Sequence, residues 1–510
     1  MPEIETGERT PGGRDGKRMV SHSTAAIAPP ERVETGIAGL DAVLGGGLFG
    51  GNLYIVQGAP GSGKTILANQ IAFHHAGLGR RVVYLTLLGE PHDRMLQHLA
   101  SLEFTDLSLL PDPLSYVSAY GALAEEGLPG LLALVRETML ARRPSLLVLD
   151  GLYVAQEESG SDPEFRRFVH ALQGEAGLHG CTMLFLTSSP DPAFSPERTM
   201  VDGLIELRDD LFEARAVRSL HVRKLRGGAS LRGCHMFRIR DEGIVVFPRL
   251  ETLVGAADED GAGGGGGGHG RRAGTGIDGL DRMLRGGVPP GSTTLVAGPS
   301  GSGKTTIGLL FLGRSTPEAP GLLFGCHESP DELGQKARSI GIDFDRLVGS
   351  GALSVVWQTP HERLLDELGH RLLDEVRRTG ARRVLIDGID SFRQSMVFPG
   401  RLQAFFTALA RELRALGALT FCTTGAREAV TPPAHGLAEI SAVADNMILL
   451  RLAEHRSRLL RLLSVVKVRR SAFDPAVVPF EIGDRGVTLG GGPPPATAPA
   501  AAAAAGARPI

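Results

Sequence analysis

The octapeptide Gly58-Ala59-Pro60-Gly61-Ser62-Gly63-Lys64-Thr65 returns later in the chain as Gly298-Pro299-Ser300-Gly301-Ser302-Gly303-Lys304-Thr305. Both fit G-x-x-x-x-G-K-[ST], a loop whose glycines let successive backbone N–H groups turn inward around phosphate oxygens at the start of a helix. Lys64 and Lys304 are then placed to reach the β- and γ-phosphates, and the hydroxyls of Thr65 and Thr305 to ligate Mg²⁺. An apolar run precedes each loop (NLYIVQG, TTLVAG) and a helical pattern follows, which is the context the motif requires. Two phosphate-binding loops with ATP and Mg²⁺ as cofactors are the first expectation.

Lysine usage points the same way. Lys and Arg total 54, of which six are Lys, so 54 − 6 leaves 48 Arg. A chain that writes nearly every cation as Arg keeps Lys where a compact ammonium does what a planar guanidinium cannot. Lys64 pairs with Lys304, and Lys224 (VRKLRG) with Lys467 (VVKVRR), whereas Lys17 and Lys336 have no counterparts. TGIAGLDAVLGGG from Thr35 matches TGIDGLDRMLRGG from Thr275, and 275 − 35 gives the same offset, 240, as 304 − 64. A repeat this long is a whole domain copied once rather than a solenoid period. We expect domains at 33–254 and 274–490, a Gly-rich tether at 255–273, and disordered tails at 1–32 and 491–510.

Composition is that of an ordinary globular protein, 42% hydrophobic and 22% charged, and a net charge of −3 gives no global attraction to nucleic acid or anionic membrane. The N-terminal stretch lacks an apolar signal core, no run is long enough to span a bilayer, and the four cysteines are scattered without a C-x-x-C pair. The expected compartment is cytoplasmic. Cys181, Cys326 and Cys422 lie in or beside apolar runs and read as small buried hydrophobes.

Within each copy, short apolar runs (RVVYLTL, LSYVSAY, SLLVLDG, CTMLFLTSS; then GLLFGCH, LSVVWQT, RRVLIDG, ALTFCTTG) alternate with helical stretches. Strands apolar on both faces and separated by helices make a parallel sheet covered on both sides. The fold class is α/β. Each copy ends in β-rich sequence without helices (GLIELRDDL, SLHVRKLRG, MFRIRDEGIVVF in the first), read as antiparallel strands at the sheet edge. Asp150 and Asp387 end the runs SLLVLD and RRVLID. There a carboxylate faces the same crevice as the loop and can orient Mg²⁺, or it caps the next helix.

Residues 33–490 resemble the KaiC family of double-domain RecA-like ATPases, on T-G-[ID]-x-G-L-D-x-[VM]-L-x-G-G before each loop, the strand-end aspartates and the late K-x-R motifs. The resemblance implies two tandem RecA-like P-loop domains and homohexameric rings with ATP between protomers. It also implies that Lys224, Arg226, Lys467 and Arg469 reach ATP across the subunit interface, in the manner of an arginine finger. Each pair, two apart on a strand, would share one face.

The departures are informative. The family places paired glutamates at the end of the second strand to activate water. Copy two reads CHESP, with His327 first and Glu328 second, while copy one reads LLGEP, with Leu88 and Gly89 at those places and Glu90 one later. A general base must lie within hydrogen-bond reach of the water, so Glu328 is the better candidate, Glu90 the weaker, and slow hydrolysis is expected in copy one. In EISAVADNMILL, Ser441 keeps the family's phosphoserine position while Ala442 replaces the threonine, so a two-residue phosphorylation cycle is excluded there and a single phosphosite at Ser441 remains.

Two function classes follow: a regulatory, signalling ATPase ring acting on unidentified signalling proteins, with serine autokinase activity in copy two, or a RecA-like motor or recombinase on DNA. The second would use Arg215, Arg218, Arg223, Arg226 and Arg232, and Arg456, Arg458, Arg461, Arg469 and Arg470. With one Trp and five Tyr, the chain lacks the aromatic-basic interleaving of single-strand binders, which favours the signalling reading. His74 and His75 read as packing or surface, Trp357 as sheet core, and Glu157 and Glu158 as loop charge.

Overall fold

The computed structural model describes residues 31–89, 92–188, 200–253, 271–358, 363–425, 441–469 and 471–490. Glu90, Arg470, nearly all of both tails and most of the tether lie outside these. Arg32, assigned above to the N-terminal tail, begins a short strand β1 (Arg32–Val33) that pairs with β2 (Leu48–Phe49). Arg272, assigned to the tether, donates to the carbonyls of Leu284 and Gly287 at 2.8 Å and so belongs to the second domain.

The first domain contains β3 (Leu53–Gln57), β4 (Val82–Thr86), β5 (Leu114–Ser118), β6 (Leu146–Asp150), β7 (Thr182–Thr187), β8 (Gly203–Phe212), β9 (Arg215–Leu225), β10 (Cys234–Arg240) and β11 (Gly243–Phe247). They form one nine-stranded sheet in the order β11-β10-β9-β8-β3-β7-β6-β4-β5. The second domain contains β12 (Thr293–Gly298), β13 (Gly321–Gly325), β14 (Leu353–Trp357), β15 (Arg383–Asp387), β16 (Leu419–Gly425), β17 (Asn446–His455), β18 (Arg458–Val468), β19 (Val477–Gly483) and β20 (Gly486–Leu489). Its sheet, β14-β13-β15-β16-β12-β17-β18-β19-β20, has the same topology. Strands β3 to β7 and β12 to β16 are parallel, as their unbroken apolar runs require, with one buried cluster on each face.

The first strand of each β-rich end departs from expectation. β8 and β17 run parallel to β3 and β12, and only the strands after them are antiparallel. Trp357 is a further correction. It ends the edge strand β14, four strands from β12, and is 41% exposed, because a strand with one neighbour leaves its last residue in solvent. Glu157 closes a short helix, Leu152–Glu157, rather than lying in a loop, although both it and Glu158 are exposed. His75 is buried with Nε2 at 3.1 Å from the Glu34 carbonyl. The four cysteines are free thiols, with Cys181, Cys326 and Cys422 buried.

The T-G-[ID]-x-G-L-D segments have a structural job. Thr35 donates from both its backbone N and its Oγ1 to Asp41 at 2.8 Å, and Thr275 N donates to Asp281 at 2.7 Å, closing a turn under each sheet. Between the domains, Val217, Met236 and Phe247 of the first sheet pack on Leu364 of the second domain. Around this contact Glu367 receives Arg238 at 2.8 Å, Arg240 at 2.5 Å and Arg363 at 2.6 Å. Arg401 bridges Glu251 and the fully buried Asp366.

Candidate functional site: two phosphate-binding clefts

Each glycine-rich loop leaves the C-terminal end of a central strand, β3 or β12, and runs straight into a helix, Lys64–Gly77 or Lys304–Leu312. Gly63 sits at φ 101° and Gly303 at the same value, a left-handed conformation that turns consecutive N–H groups inward. Gly58 is needed for space: a Cβ there would lie 2.4 Å from the Leu207 carbonyl oxygen. Side chains at Gly61 and Gly301, by contrast, would meet open space, on the side where phosphate would sit. The Lys64 ammonium bonds the loop carbonyls of Gly58 (2.9 Å) and Ala59 (3.0 Å), and Lys304 bonds that of Pro299 (2.9 Å). Burial pushes both ammonium groups below the ordinary lysine value, against the pull of Asp150 on one and Asp387 on the other.

The strand-end aspartates come to the loop threonines. Thr65 Oγ1 donates to Asp150 Oδ2 at 3.2 Å, and Thr305 Oγ1 donates to Asp387 at 3.1 Å. Each aspartate also takes a second hydroxyl, from opposite sides. Tyr84 on β4 donates to Asp150 at 2.9 Å, whereas Thr423 on β16 donates to Asp387 at 2.5 Å. Strand register matches Tyr84 to Leu323, and Thr423 to Leu186, so each copy lacks the other's hydroxyl. Burial and the adjacent Asp150 hold the Tyr84 phenol far above its usual pKa, so it remains a donor. The Thr–Asp pairs are hard oxygen donors of the kind Mg²⁺ accepts when phosphates and water complete its shell.

In the second domain these groups line a cleft of about 480 Å³ together with His327, Glu328, Lys336, Asp390, Thr424 and Arg461. Glu328 therefore shares one crevice with Lys304, Thr305 and Asp387. Sequence reasoning missed Lys336, whose Nζ lies 2.5 and 2.6 Å from the two Glu328 oxygens. It also missed Arg461, whose Nε donates to the Gly301 carbonyl at 3.3 Å. His327 is exposed at the cleft, with Nε2 3.0 Å from Ser391 Oγ. In the first domain, register aligns Thr86 with Gly325, since each lies opposite its strand-end aspartate, and this puts Gly89 at the place of Glu328. His92 lies close by, 2.7 Å from Thr86 Oγ1, its pKa lowered by burial.

The late cations occupy the other end of the sheet. Lys224 lies opposite Leu204 and Lys467 opposite Met447, at the starts of β8 and β17, with a bulge immediately beyond each. Arg226 and Arg469 fall one residue past β9 and β18, and their backbone N–H groups still donate to the carbonyls of Asp202 (2.8 Å) and Asp445 (2.9 Å). Lys467 Nζ bonds the carbonyls of Ser441 (2.9 Å) and Ala444 (2.7 Å), and Arg469 that of Ala442 (2.5 Å). Arg226 lies 3.6 Å from Asp202 in the equivalent place. Burial lowers the pKa of both lysines, with the neighbouring Arg226 or Arg469 adding to the effect. Some of the arginines suggested for DNA meet carboxylates of their own sheet: Arg223 meets Glu206 at 2.6 Å and Arg218 meets Asp209 at 3.2 Å. No described helix is long and apolar enough to cross a membrane.

A family model for the KaiC ATPase matches residues 33–251 and again residues 273–492. The circadian clock oscillator protein KaiC of Picosynechococcus sp. is 25% identical over 496 residues, covering 92% of this chain and 91% of that protein. The KaiC of Rippkaea orientalis is 25% identical over 485 residues (90% and 88%), and KaiC 1 of Synechocystis sp. 24% over 476 (89% and 88%). With two ATP-type phosphate loops set in two copies of one sheet topology and both copies matched, the chain belongs to the KaiC family of ATPases.

Proposed function

We propose that the protein is a self-assembling, Mg²⁺-dependent ATPase of cytoplasmic signalling type, a homohexameric ring, in which the second domain is the main hydrolytic site and Ser441 the single phosphoacceptor. Thr65 with Asp150, and Thr305 with Asp387, would hold Mg²⁺, which supplies charge neutralisation on the β- and γ-phosphates when bound. Lys304 steadies the γ-phosphate, and Glu328 takes the proton of the attacking water. Domain 1, with Gly89 where that carboxylate would stand, binds ATP and turns it over slowly.

The observation that carries the ring is the position of Ser441. It lies five residues before Asn446, which pairs with Thr294 at the start of β12, whereas the phosphate loop leaves the far end of β12 at Gly298. Four residue steps between Thr294 and Gly298 span roughly 13 Å, while phosphoryl transfer needs reacting atoms within about 3–3.5 Å. Ser441 is therefore out of reach of its own domain's ATP. It sits beside Lys467 and Arg469, the two residues assigned to a neighbour's nucleotide, so one subunit would present all three to the next. The names of the relatives place them in a circadian oscillator. A cycle between two adjacent phosphoacceptors is not open to this chain, because Ala442 has no hydroxyl.

Intact-mass spectrometry tests this after incubation with Mg·ATP. The expected result is one added phosphate, absent in Ser441→Ala. In a mixture of Ser441→Ala chains with Lys304→Ala chains, phosphate should appear on the Lys304→Ala chains, because their Ser441 is served by a neighbour's intact site. Phosphate on wild type but never on Lys304→Ala chains in the mixture would overturn transfer between subunits. No phosphate anywhere would leave ATP hydrolysis alone.

A further inference from the structure

Lys336 is a lysine that the repeat does not account for, in a chain with six lysines among 54 basic residues. It projects from the helix Pro330–Ser339, which starts two residues after Glu328, and folds back along that helix to grip both oxygens of the Glu328 carboxylate. Both side chains line the phosphate cleft, and the pair is about one-third exposed, at 36% and 32%. Among its described residues, the first domain offers neither partner at the matching positions. Gly89 stands at the carboxylate's place, and the matching turn of the helix His92–Leu99 offers Gln97 and His98, both exposed. Presence of both in one copy, and of neither among the described residues at the matching positions of the other, marks the pair as a unit. Burial is the main reason Lys304's ammonium lies below its ordinary pKa, and the charge of Lys336 is among the smaller contributions, so the two ammonium groups feel each other across the cleft.

We propose that Lys336 is a γ-phosphate-sensing positioning residue: it exchanges its ion pair with Glu328 for the terminal phosphate of ATP, and so frees the carboxylate only when a triphosphate is bound. This deepens the reading of the second domain as the hydrolytic site and rests on it. The exchange is favourable on simple electrostatics. A solvent-exposed carboxylate–ammonium pair is weak and easily broken, and a triphosphate brings a higher local charge than one carboxylate. Lysine suits the exchange, since its ammonium is a point charge on a flexible four-carbon stem and needs no planar fork to be matched. A diphosphate, lacking the terminal group, leaves the pair closed and Glu328 held by two short hydrogen bonds to an ammonium. The second domain would then distinguish ATP from ADP by a mechanism the first domain does not have.

Nucleotide binding to the full chain tests the exchange independently of hydrolysis. The probes are ADP and a β,γ-imido ATP analogue, and the second-domain component is the one that Lys304→Ala removes. Glu328→Gln should tighten the triphosphate analogue about tenfold and leave ADP unchanged, because Lys336 no longer has to leave a carboxylate. Lys336→Met in the same chain should abolish that tightening, and Lys336→Arg should restore part of it. Equal tightening of ADP, no change of the triphosphate-to-diphosphate ratio, or a tightening that survives Lys336→Met overturns the proposal. Should Lys336→Met not fold, Lys336→Gln takes its place, and the Glu328→Gln ratio still decides. Turnover is read separately: if Glu328→Gln hydrolyses ATP at the wild-type rate, the general-base reading fails while the sensing pair is judged on the binding ratio.

Discussion

Lys304→Ala should remove most of the steady-state ATP turnover of the full chain, and Lys64→Ala should remove little of it. Both substitutions delete the same ammonium from the same kind of loop, so any difference reports the rest of each site. In the second domain the cleft joins Lys304 to a carboxylate, Glu328, in the turn that follows β13. Removing a group that stabilises developing charge costs roughly 10²–10³ in rate, and a positioned general base contributes about 10²–10⁴. A site that has both has much to lose. The first domain has a comparable loop and a comparable threonine–aspartate pair, at 3.2 Å, but Gly89 where the carboxylate would be. On the proposed reading, its share of turnover should be small before Lys64 is touched. Phosphate release by each variant, alongside a sizing measurement with ATP present, separates lost chemistry from lost assembly. Equal losses from both substitutions in correctly assembled protein would sink the assignment.

The parts of this site that could be read from the sequence are those written in a local code. The two loops are contiguous octapeptides, and Asp150 and Asp387 end apolar runs whose tips the parallel sheet must bring to the loop. The parts that could not be read depend on where non-adjacent segments meet. Tyr84 and Thr423 perform the same task for their aspartates from β4 and β16, strands on opposite sides of the aspartate's own, so aligning the two copies position by position shows only unrelated substitutions. The Lys336–Glu328 contact spans a turn and half a helix, a spacing that no helical periodicity predicts. Trp357 was misjudged because an apolar run does not say whether its strand has one neighbour or two.

The interdomain contact was equally invisible, since it joins Arg401 to Glu251, 150 residues away, as well as to Asp366, 35 away, and it carries the largest expected effect on stability. Arg401 is 13% exposed and donates to both oxygens of Asp366, which is fully buried, and to both of Glu251 at 2.7 and 3.0 Å. A buried ion pair adds little over an apolar replacement of the whole pair, but removing one partner strands the other, at a cost of about 3–5 kcal/mol. Arg401→Met should therefore lower the unfolding midpoint by roughly 10 °C, at about 2–4 °C per kcal/mol for a domain of this size. Glu251 keeps Arg249 at 3.0 Å, so the loss falls on Asp366. Burial raises the Asp366 pKa above its ordinary 3.8 even with Arg401 present, and nothing comparable opposes it once the guanidinium is gone. The native state then holds the Asp366 proton more tightly than the unfolded chain, so this group's contribution to stability is complete below pH 3.8 and is lost as pH rises through the higher native value. Arg401→Met/Asp366→Asn, with no charge left to strand, should recover most of the midpoint lost at pH 8, and less should separate it from Arg401→Met at pH 5. If the double variant melts no higher than the single one at pH 8, the stranded carboxylate is not what Arg401 prevents, and its packing between Glu251 and the helix Leu365–Thr379 would have to bear the whole cost.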